Sequence, residues 1–66
     1  MANRKFRRGT KVRVDKYAVV AERYKGRKGI ITELPGKTWD GTFIYGLTIH
    51  DRKSPLEVYE TEITKT

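Results

Sequence analysis

The sequence contains no cysteine and only one histidine among its 66 residues. Without thiols, disulfide bonds, thiol nucleophiles and thiolate zinc sites are all excluded, and one imidazole cannot build a metal cluster. No segment approaches the roughly 20 apolar residues that cross a bilayer, so a membrane span is not expected. The sequence also lacks a phosphate-binding P-loop and a nucleophile elbow. We therefore expect a chain that is not an enzyme and that carries neither a cofactor nor a metal ion.

Helical periodicity is missing as well, because no window repeats apolar residues every three or four positions over three turns. Instead, β-branched and aromatic residues recur in short runs bounded by glycine and proline, which is typical of strands. A chain of 66 residues forms one domain, near the lower size limit for folding unaided. We predict an all-β fold: a small five-stranded antiparallel barrel over residues 9–66, preceded by a flexible basic arm over residues 1–8 in which Phe6 packs against the barrel.

The strands are expected where apolar residues alternate with polar ones or form short clusters. In the first of them Val12 and Val14 alternate with basic residues, so the two valines face inward. Pro35 and Gly36 are expected to end the second strand. Residues 17–24 are predicted to form a structured loop, and residues 60–61 a short 3₁₀ turn. The predicted strands are 10–14, 30–34, 42–50, 56–59 and 62–64.

The third strand is expected to supply most of the core, because its alternate residues Phe43, Tyr45, Leu47 and Ile49 are apolar. His50 follows at its end. Neighbouring residues of a strand point to opposite faces, so His50 and the adjacent aspartate cannot act together as an acid–base pair. We therefore predict a structural or surface role for His50.

Charge is divided unevenly along the chain. Residues 1–28 hold eleven of the fifteen basic side chains against two acidic ones, whereas residues 29–66 hold four basic and six acidic ones. A one-sided positive field attracts polyanions, although an excess of lysine can also serve solubility alone. Glu57, Glu60 and Glu62 are expected to balance the basic half rather than to hold a cation.

Within the basic half, cations are interleaved with aromatic residues. This combination suits nucleic acid, since cations neutralise phosphates and aromatic faces stack on bases. Alternatives stay open: Tyr17 and Tyr24 can cover an end of the barrel, Trp39 can fold over the core, and the basic turn at 25–28 can be a solvated hairpin. The candidate nucleic-acid-binding residues are Arg4, Lys5, Arg7, Arg8, Lys11, Arg13, Lys16, Tyr17, Arg23, Tyr24, Lys25, Arg27, Lys28 and Trp39.

Two glycines, Gly26 and Gly29, frame a basic turn that is followed by the β-branched residues Ile30, Ile31 and Thr32. This stretch resembles the KOW motif of ribosomal proteins and transcription elongation factors, in which a Lys-Gly-x-x-Gly turn leads into a strand. With the alternating segment at 9–14, the resemblance covers residues 9–34 and implies an SH3-like barrel that binds nucleic acid, with a slight preference for RNA.

The connection between the first strand and this turn is longer than in most KOW segments. In this respect the chain is similar to other SH3-like barrels, including the small accessory subunit of photosystem I, whose opening Arg-Gly-Ser-Lys-Val-Arg is close to residues 8–13 here. That second resemblance implies docking to a protein. A shared fold does not choose between the two kinds of partner.

The sequence thus favours a cytoplasmic nucleic-acid-binding module that grips the phosphate backbone with little sequence specificity. DNA and RNA are not distinguished, and roles in transcription, translation or the nucleoid all fit. The alternative is a basic module or inhibitor that binds an acidic protein. The expected assembly is a monomer or a weak dimer.

Overall fold

In a computed structural model, which describes residues 4–50 and 52–66, the chain forms one antiparallel sheet of five strands. The strands are β1 (Lys11–Val14), β2 (Lys28–Lys37), β3 (Phe43–Thr48), β4 (Leu56–Tyr59) and β5 (Ile63–Lys65), and two 3₁₀ helices span Glu22–Tyr24 and Glu60–Glu62. The predicted all-β, five-stranded antiparallel architecture is confirmed. The predicted arm residues 1–3 and Asp51 of the predicted turn at 51–55 lie outside the described residues.

The order of strands in the sheet is β4-β3-β2-β1-β5. In a flat sheet β4 and β5 would lie about 19 Å apart, because four interstrand gaps of about 4.8 Å separate them. The chain joins these two edge strands through only the three residues of the second 3₁₀ helix, which advance about 6 Å. The sheet therefore curls until its two edges approach each other, and the core fills the inside of the curl.

The core consists of the inward residues of all five strands together with four residues from outside them. Tyr45, Leu47 and Ile49 are buried as predicted, whereas Phe43 is half-buried and packs against the edge of the core. The predicted third strand, 42–50, is shorter in the structure. The complete buried cluster is Phe6, Val12, Val14, Ala18, Tyr24, Ile31, Tyr45, Leu47, Ile49, Leu56, Val58 and Ile63.

The prediction that Pro35 and Gly36 end the second strand is wrong, because β2 continues to Lys37. On the side away from β3, backbone hydrogen bonds of β2 extend as far as Ile31, which bonds to Gly9 and Thr10, so the missing N–H of Pro35 removes no hydrogen bond from that side. The register of β2 against β3 is irregular between Ile31 and Gly36, and this irregularity allows the strand to continue through Pro35.

The two glycines of the basic turn are required for different reasons. Gly26 has a φ of +79°, a backbone conformation that favours glycine. Gly29 has ordinary backbone angles, but a Cβ there would lie 3.1 Å from the carbonyl oxygen of Thr48 and 3.1 Å from Ile49. The first glycine makes the turn, and the second lets β2 approach β3 closely.

The connection from β1 to β2 is a loop, as predicted for residues 17–24, and it contains the first 3₁₀ helix. The predicted 3₁₀ turn at 60–61 is also found, extended by Glu62. Across residues 4–50 and 52–66, no helix has the length and apolar character needed to cross a membrane.

Candidate nucleic-acid interface

The outer face of β1 and β2 carries paired basic side chains. Alternation turns Lys11 and Arg13 outward, and the register places Arg13 directly opposite Lys28 and Lys11 opposite Ile30. Two like charges that face each other across neighbouring strands destabilise the sheet. The fold therefore maintains a concentration of positive charge here at some cost to its own stability.

Next to this face, four cations surround a hollow of about 510 Å³, which we name the basic notch. Two of them precede β1, one lies on β1 and one comes from β5, so the pairing of β5 with β1 brings the segment before β1 and the end of β5 together here. Hydroxyl groups of two threonines complete the polar lining. The residues that line the basic notch are Arg7, Arg8, Gly9, Thr10, Lys11, Lys65 and Thr66.

A second hollow, of about 350 Å³, lies on the outer face of β1, β2 and β3, and we name it the sheet hollow. Ile30 lies within it and is 41% exposed, between Lys11 and Lys28. The hollow is lined by Lys11, Lys28, Gly29, Ile30, Thr48, His50 and Thr66.

The basic notch and the sheet hollow share Lys11 and Thr66, so they form one continuous surface that crosses from β5 to β3. Five lysines and arginines line this surface, and none of the described residues that line it is acidic. Four of these cations were predicted site residues: Arg7, Arg8, Lys11 and Lys28. Arg13 lies beside them on β1.

Sequence reasoning missed Lys65, Thr66, Ile30 and His50 as parts of this surface. The register of β5 against β1 brings Lys65 next to Val12, a contact across more than fifty residues that local patterns do not reveal. The sequence predicts that Ile30 belongs to a strand. Its position opposite Lys11 on the exposed side follows only from the strand pairing.

The predicted arm residues 4–6 make contacts within the fold. The guanidinium of Arg4 donates hydrogen bonds to the carbonyl oxygens of Ile44 and Gly36, both at 2.9 Å, and lies 4.8 Å from the ring centre of Phe43. These contacts occupy Arg4 as a structural anchor rather than as a free phosphate ligand.

Phe6 is buried, as expected, with its ring 5.7 Å from that of Tyr45. The backbone N–H of Lys5 donates to Glu60 at 3.0 Å, and the Lys5 ammonium group lies 5.6 Å from the Phe6 ring centre. Neither Lys5 nor Arg4 lines the basic notch or the sheet hollow.

Tyr24 does not present its ring for base stacking, because only 6% of the residue is exposed. The guanidinium groups of Arg23 and Arg52 lie 4.8 Å and 5.3 Å from its ring centre, and Arg52 donates a hydrogen bond to its hydroxyl. Hydrogen bonds from Arg23, which has the larger effect, and from Arg52 lower the pKa of Tyr24. The structure therefore supports a role for Tyr24 in the buried core instead of base stacking.

Three backbone N–H groups of the turn at 25–28 are already hydrogen-bonded within the fold, so they are not offered to an anion. The N–H of Gly26 donates to Val14 at 2.8 Å, and that of Arg27 donates to Tyr24 at 3.1 Å. The Lys25 ammonium group forms an ion pair with Glu22 at 3.0 Å. Of this turn, only Lys28 lines the continuous basic surface.

Two predicted aromatic site residues are exposed but do not line the basic notch or the sheet hollow. Tyr17 is 84% exposed in the loop after β1, with the Lys16 ammonium group 5.7 Å from its ring centre. Trp39 is 99% exposed, so the alternative that it folds over the core is wrong. Its loop, 38–42, is too short to turn back over the sheet, because β2 and β3 pair up to its two ends.

The surroundings of Trp39 carry the opposite charge. It borders a hollow with Asp40 and Tyr59, and Tyr59 also borders a neighbouring hollow lined by Glu57 and Glu62. Hydrogen bonds from Thr38 and Thr42 lower the pKa of Asp40, so its carboxylate stays ionised and repels phosphate. Trp39 therefore lies outside the continuous basic surface.

Within the part of the chain that the structure describes, no group of three or more histidine, aspartate and glutamate side chains is placed to hold a metal ion. Comparison of the chain with models of protein families, with curated proteins and with solved structures finds no match.

Proposed function

We propose that the chain is a nucleic-acid-binding module that contacts the phosphate backbone through the basic notch and the sheet hollow. The observation that carries this proposal is that one continuous surface is lined by five cationic side chains and by no acidic side chain of the described residues. The hydroxyl group of Thr10 adds a hydrogen-bond donor of the kind that positions phosphates. Few groups here could read base edges, so recognition depends on the backbone.

We also propose that the fold of the chain is an SH3-like barrel with a KOW-like turn. Support for it comes from the order of elements, in which the alternating strand β1 is followed by the turn at Gly26 and then by β2. A module of this kind would act in the cytoplasm, at the nucleoid or the ribosome, as a monomer or a weak dimer.

Salt dependence of binding is the first test. If all five cations contact phosphates, the slope of log affinity against log salt concentration is expected to be about −3.5 for a single strand and about −4.5 for a duplex. Fluorescence anisotropy of a labelled oligonucleotide between about 50 and 200 mM salt measures this slope. A slope near zero would contradict phosphate binding at this surface.

Charge reversal at the two ends of β2 provides a matched pair of variants. Lys28→Glu is expected to weaken binding about 10-fold, because it replaces a phosphate-binding cation with a repelling carboxylate. Lys37→Glu makes the same change on the same strand, far from the basic surface, and is expected to weaken binding less than about 3-fold. Anisotropy titrations at one salt concentration compare the two.

Loss of folding would not explain a weaker Lys28→Glu variant, because the new carboxylate faces Arg13 and converts a repulsive cross-strand pair into an attractive one. Equal effects of Lys28→Glu and Lys37→Glu would show that only net charge matters, and would contradict a localised interface. Absence of binding to both DNA and RNA would favour the alternative partner, an acidic protein.

A further inference from the structure

We propose that the sheet hollow receives an unpaired nucleobase, so that the chain binds single-stranded nucleic acid in preference to a duplex. This inference rests on the proposed phosphate-binding function and names the class of nucleic acid that this surface fits. It depends on the apolar character of the sheet hollow, whereas the proposed function depends only on charge.

Ile30 is the residue that makes the sheet hollow apolar. Its neighbours on the exposed side of the sheet, Lys11 and Lys28, are charged, and Thr48 opposite it on β3 is polar. An isoleucine that is 41% exposed between two lysines gives the basic surface an apolar centre. Phosphates alone gain nothing from such a centre.

An unpaired base is the part of a nucleic acid that matches this chemistry. In a duplex the flat faces of the bases are stacked on each other, and the outside offers phosphates and sugars. In a single strand the base faces are free, and proteins bind them against apolar and ring-bearing side chains beside a cationic groove. Ile30 and His50 both line the sheet hollow, and Lys11 and Lys28 flank it.

The dimensions of the surface agree with a strand that crosses the sheet. From β5 to β3 the surface spans three interstrand gaps, about 14 Å in all. Phosphates would bind in the basic notch, near Arg7, Arg8 and Lys65, and an adjoining base would enter the sheet hollow beyond Lys11. The strand would therefore run across the β-strands rather than along them.

Three ligands with matched phosphate content separate the contribution of the base from that of the backbone. They are an oligodeoxythymidylate of about eight nucleotides, an abasic oligomer of the same length, and a short duplex with the same number of phosphates. Wild-type protein is expected to bind the oligodeoxythymidylate about 10-fold more tightly than the abasic oligomer, and more tightly than the duplex.

The variant Ile30→Thr keeps a β-branched residue in the strand but removes most of the apolar surface of the sheet hollow. It is expected to lose most of the preference for oligodeoxythymidylate while its affinity for the abasic oligomer and its salt slope stay unchanged. The matched control is Val19→Thr, at an 88% exposed position beside the acidic hollow, which is expected to keep the full preference.

Equal affinity of the wild-type protein for the oligodeoxythymidylate and the abasic oligomer, or tighter binding of the duplex, would overturn the inference. A steep salt slope in the same experiment would leave the proposed function standing. If none of the three ligands binds, the proposed function itself fails and the inference fails with it. The comparison of ligands on wild-type protein decides the question even if Ile30→Thr does not fold.

Discussion

Replacing Glu62 with alanine is expected to lower the free energy of unfolding by about 3 kcal/mol, a large part of the stability of so small a domain. Glu62 is only 9% exposed, and its two carboxylate oxygens accept hydrogen bonds from the backbone N–H groups of Val19 at 2.6 Å and Tyr59 at 2.9 Å. One bond fixes the long loop after β1, and the other fixes the start of the second 3₁₀ helix. Alanine would leave both partly buried donors without their partner.

Urea unfolding of the wild-type protein and two further variants tests this role. Glu62→Gln keeps an acceptor oxygen but loses the charge, so it is expected to lose about half as much stability as Glu62→Ala. Glu57→Ala, at an exposed position of β4, removes a carboxylate without such contacts and is expected to change stability by less than about 0.5 kcal/mol. A Glu62→Ala variant as stable as Glu57→Ala would show that the two hydrogen bonds contribute little.

Glu62 also illustrates where the sequence ceases to be informative. Three glutamates near the end of a basic chain are naturally interpreted as charge balance, and nothing near Glu62 in the sequence indicates its bond to Val19, forty-three residues away. Strand periodicity is a local property of the sequence, and for this reason the predicted bounds of β1 and β4 agree closely with the structure. Hydrogen bonds of this kind depend on the curl of the sheet, which brings the loop after β1 to the junction of β4 and β5.

In the candidate site, too, the sequence predicted some features and could not predict others. Composition indicated that cations of the first half bind a polyanion, but it did not separate cations that face outward from those used by the fold. Arg4 and Lys11 are both basic residues near the start of the chain, yet Arg4 donates to two carbonyl oxygens and Lys11 joins the basic notch to the sheet hollow. The hydrogen bonds of Arg4 to residues more than thirty positions away distinguish the two, and local sequence does not reveal them.

Aromatic residues were harder still to assign, because burial of a ring depends on what lies above it. Tyr24 and Trp39 both lie at turns in the sequence, and the sequence makes both of them candidates for base stacking. In the structure Tyr24 is covered by Arg52, which is distant in sequence, whereas no neighbour covers the ring of Trp39 within the described residues. The apolar residue in the basic surface is instead Ile30. Strand periodicity predicts that Ile30 belongs to a strand, but it does not predict which surface of the protein this residue joins.

Replacing Tyr45 with phenylalanine is expected to lower the free energy of unfolding by about 2 kcal/mol and to release the segment before β1. The hydroxyl of this fully buried residue donates to Glu60 at 2.6 Å and accepts a hydrogen bond from the N–H of Phe6 at 3.2 Å. The ring itself would stay in place, so the core would lose no volume. Hydrogen exchange should show faster exchange at the Phe6 amide, and urea unfolding should show the loss of stability.

The contribution of this group of hydrogen bonds is also expected to depend on pH. Partial burial tends to raise the pKa of Glu60, but hydrogen bonds from the Tyr45 hydroxyl and the Lys5 N–H outweigh it and hold the pKa below the ordinary value of 4.5. A carboxylate whose pKa is lower in the folded state stabilises the fold above its unfolded pKa and loses that contribution as the pH falls through its folded value. The difference in stability between wild type and Tyr45→Phe should therefore shrink as the pH is lowered below about 4.5.

Tyr17→Phe is the matched control, because it removes the same hydroxyl from a side chain that is 84% exposed. It is expected to leave stability and Phe6 exchange unchanged at every pH. If Tyr45→Phe behaves like Tyr17→Phe, the phenol does not hold the segment before β1 in place. If its loss of stability is the same at acidic and neutral pH, Glu60 is not the partner that gives the hydroxyl its effect.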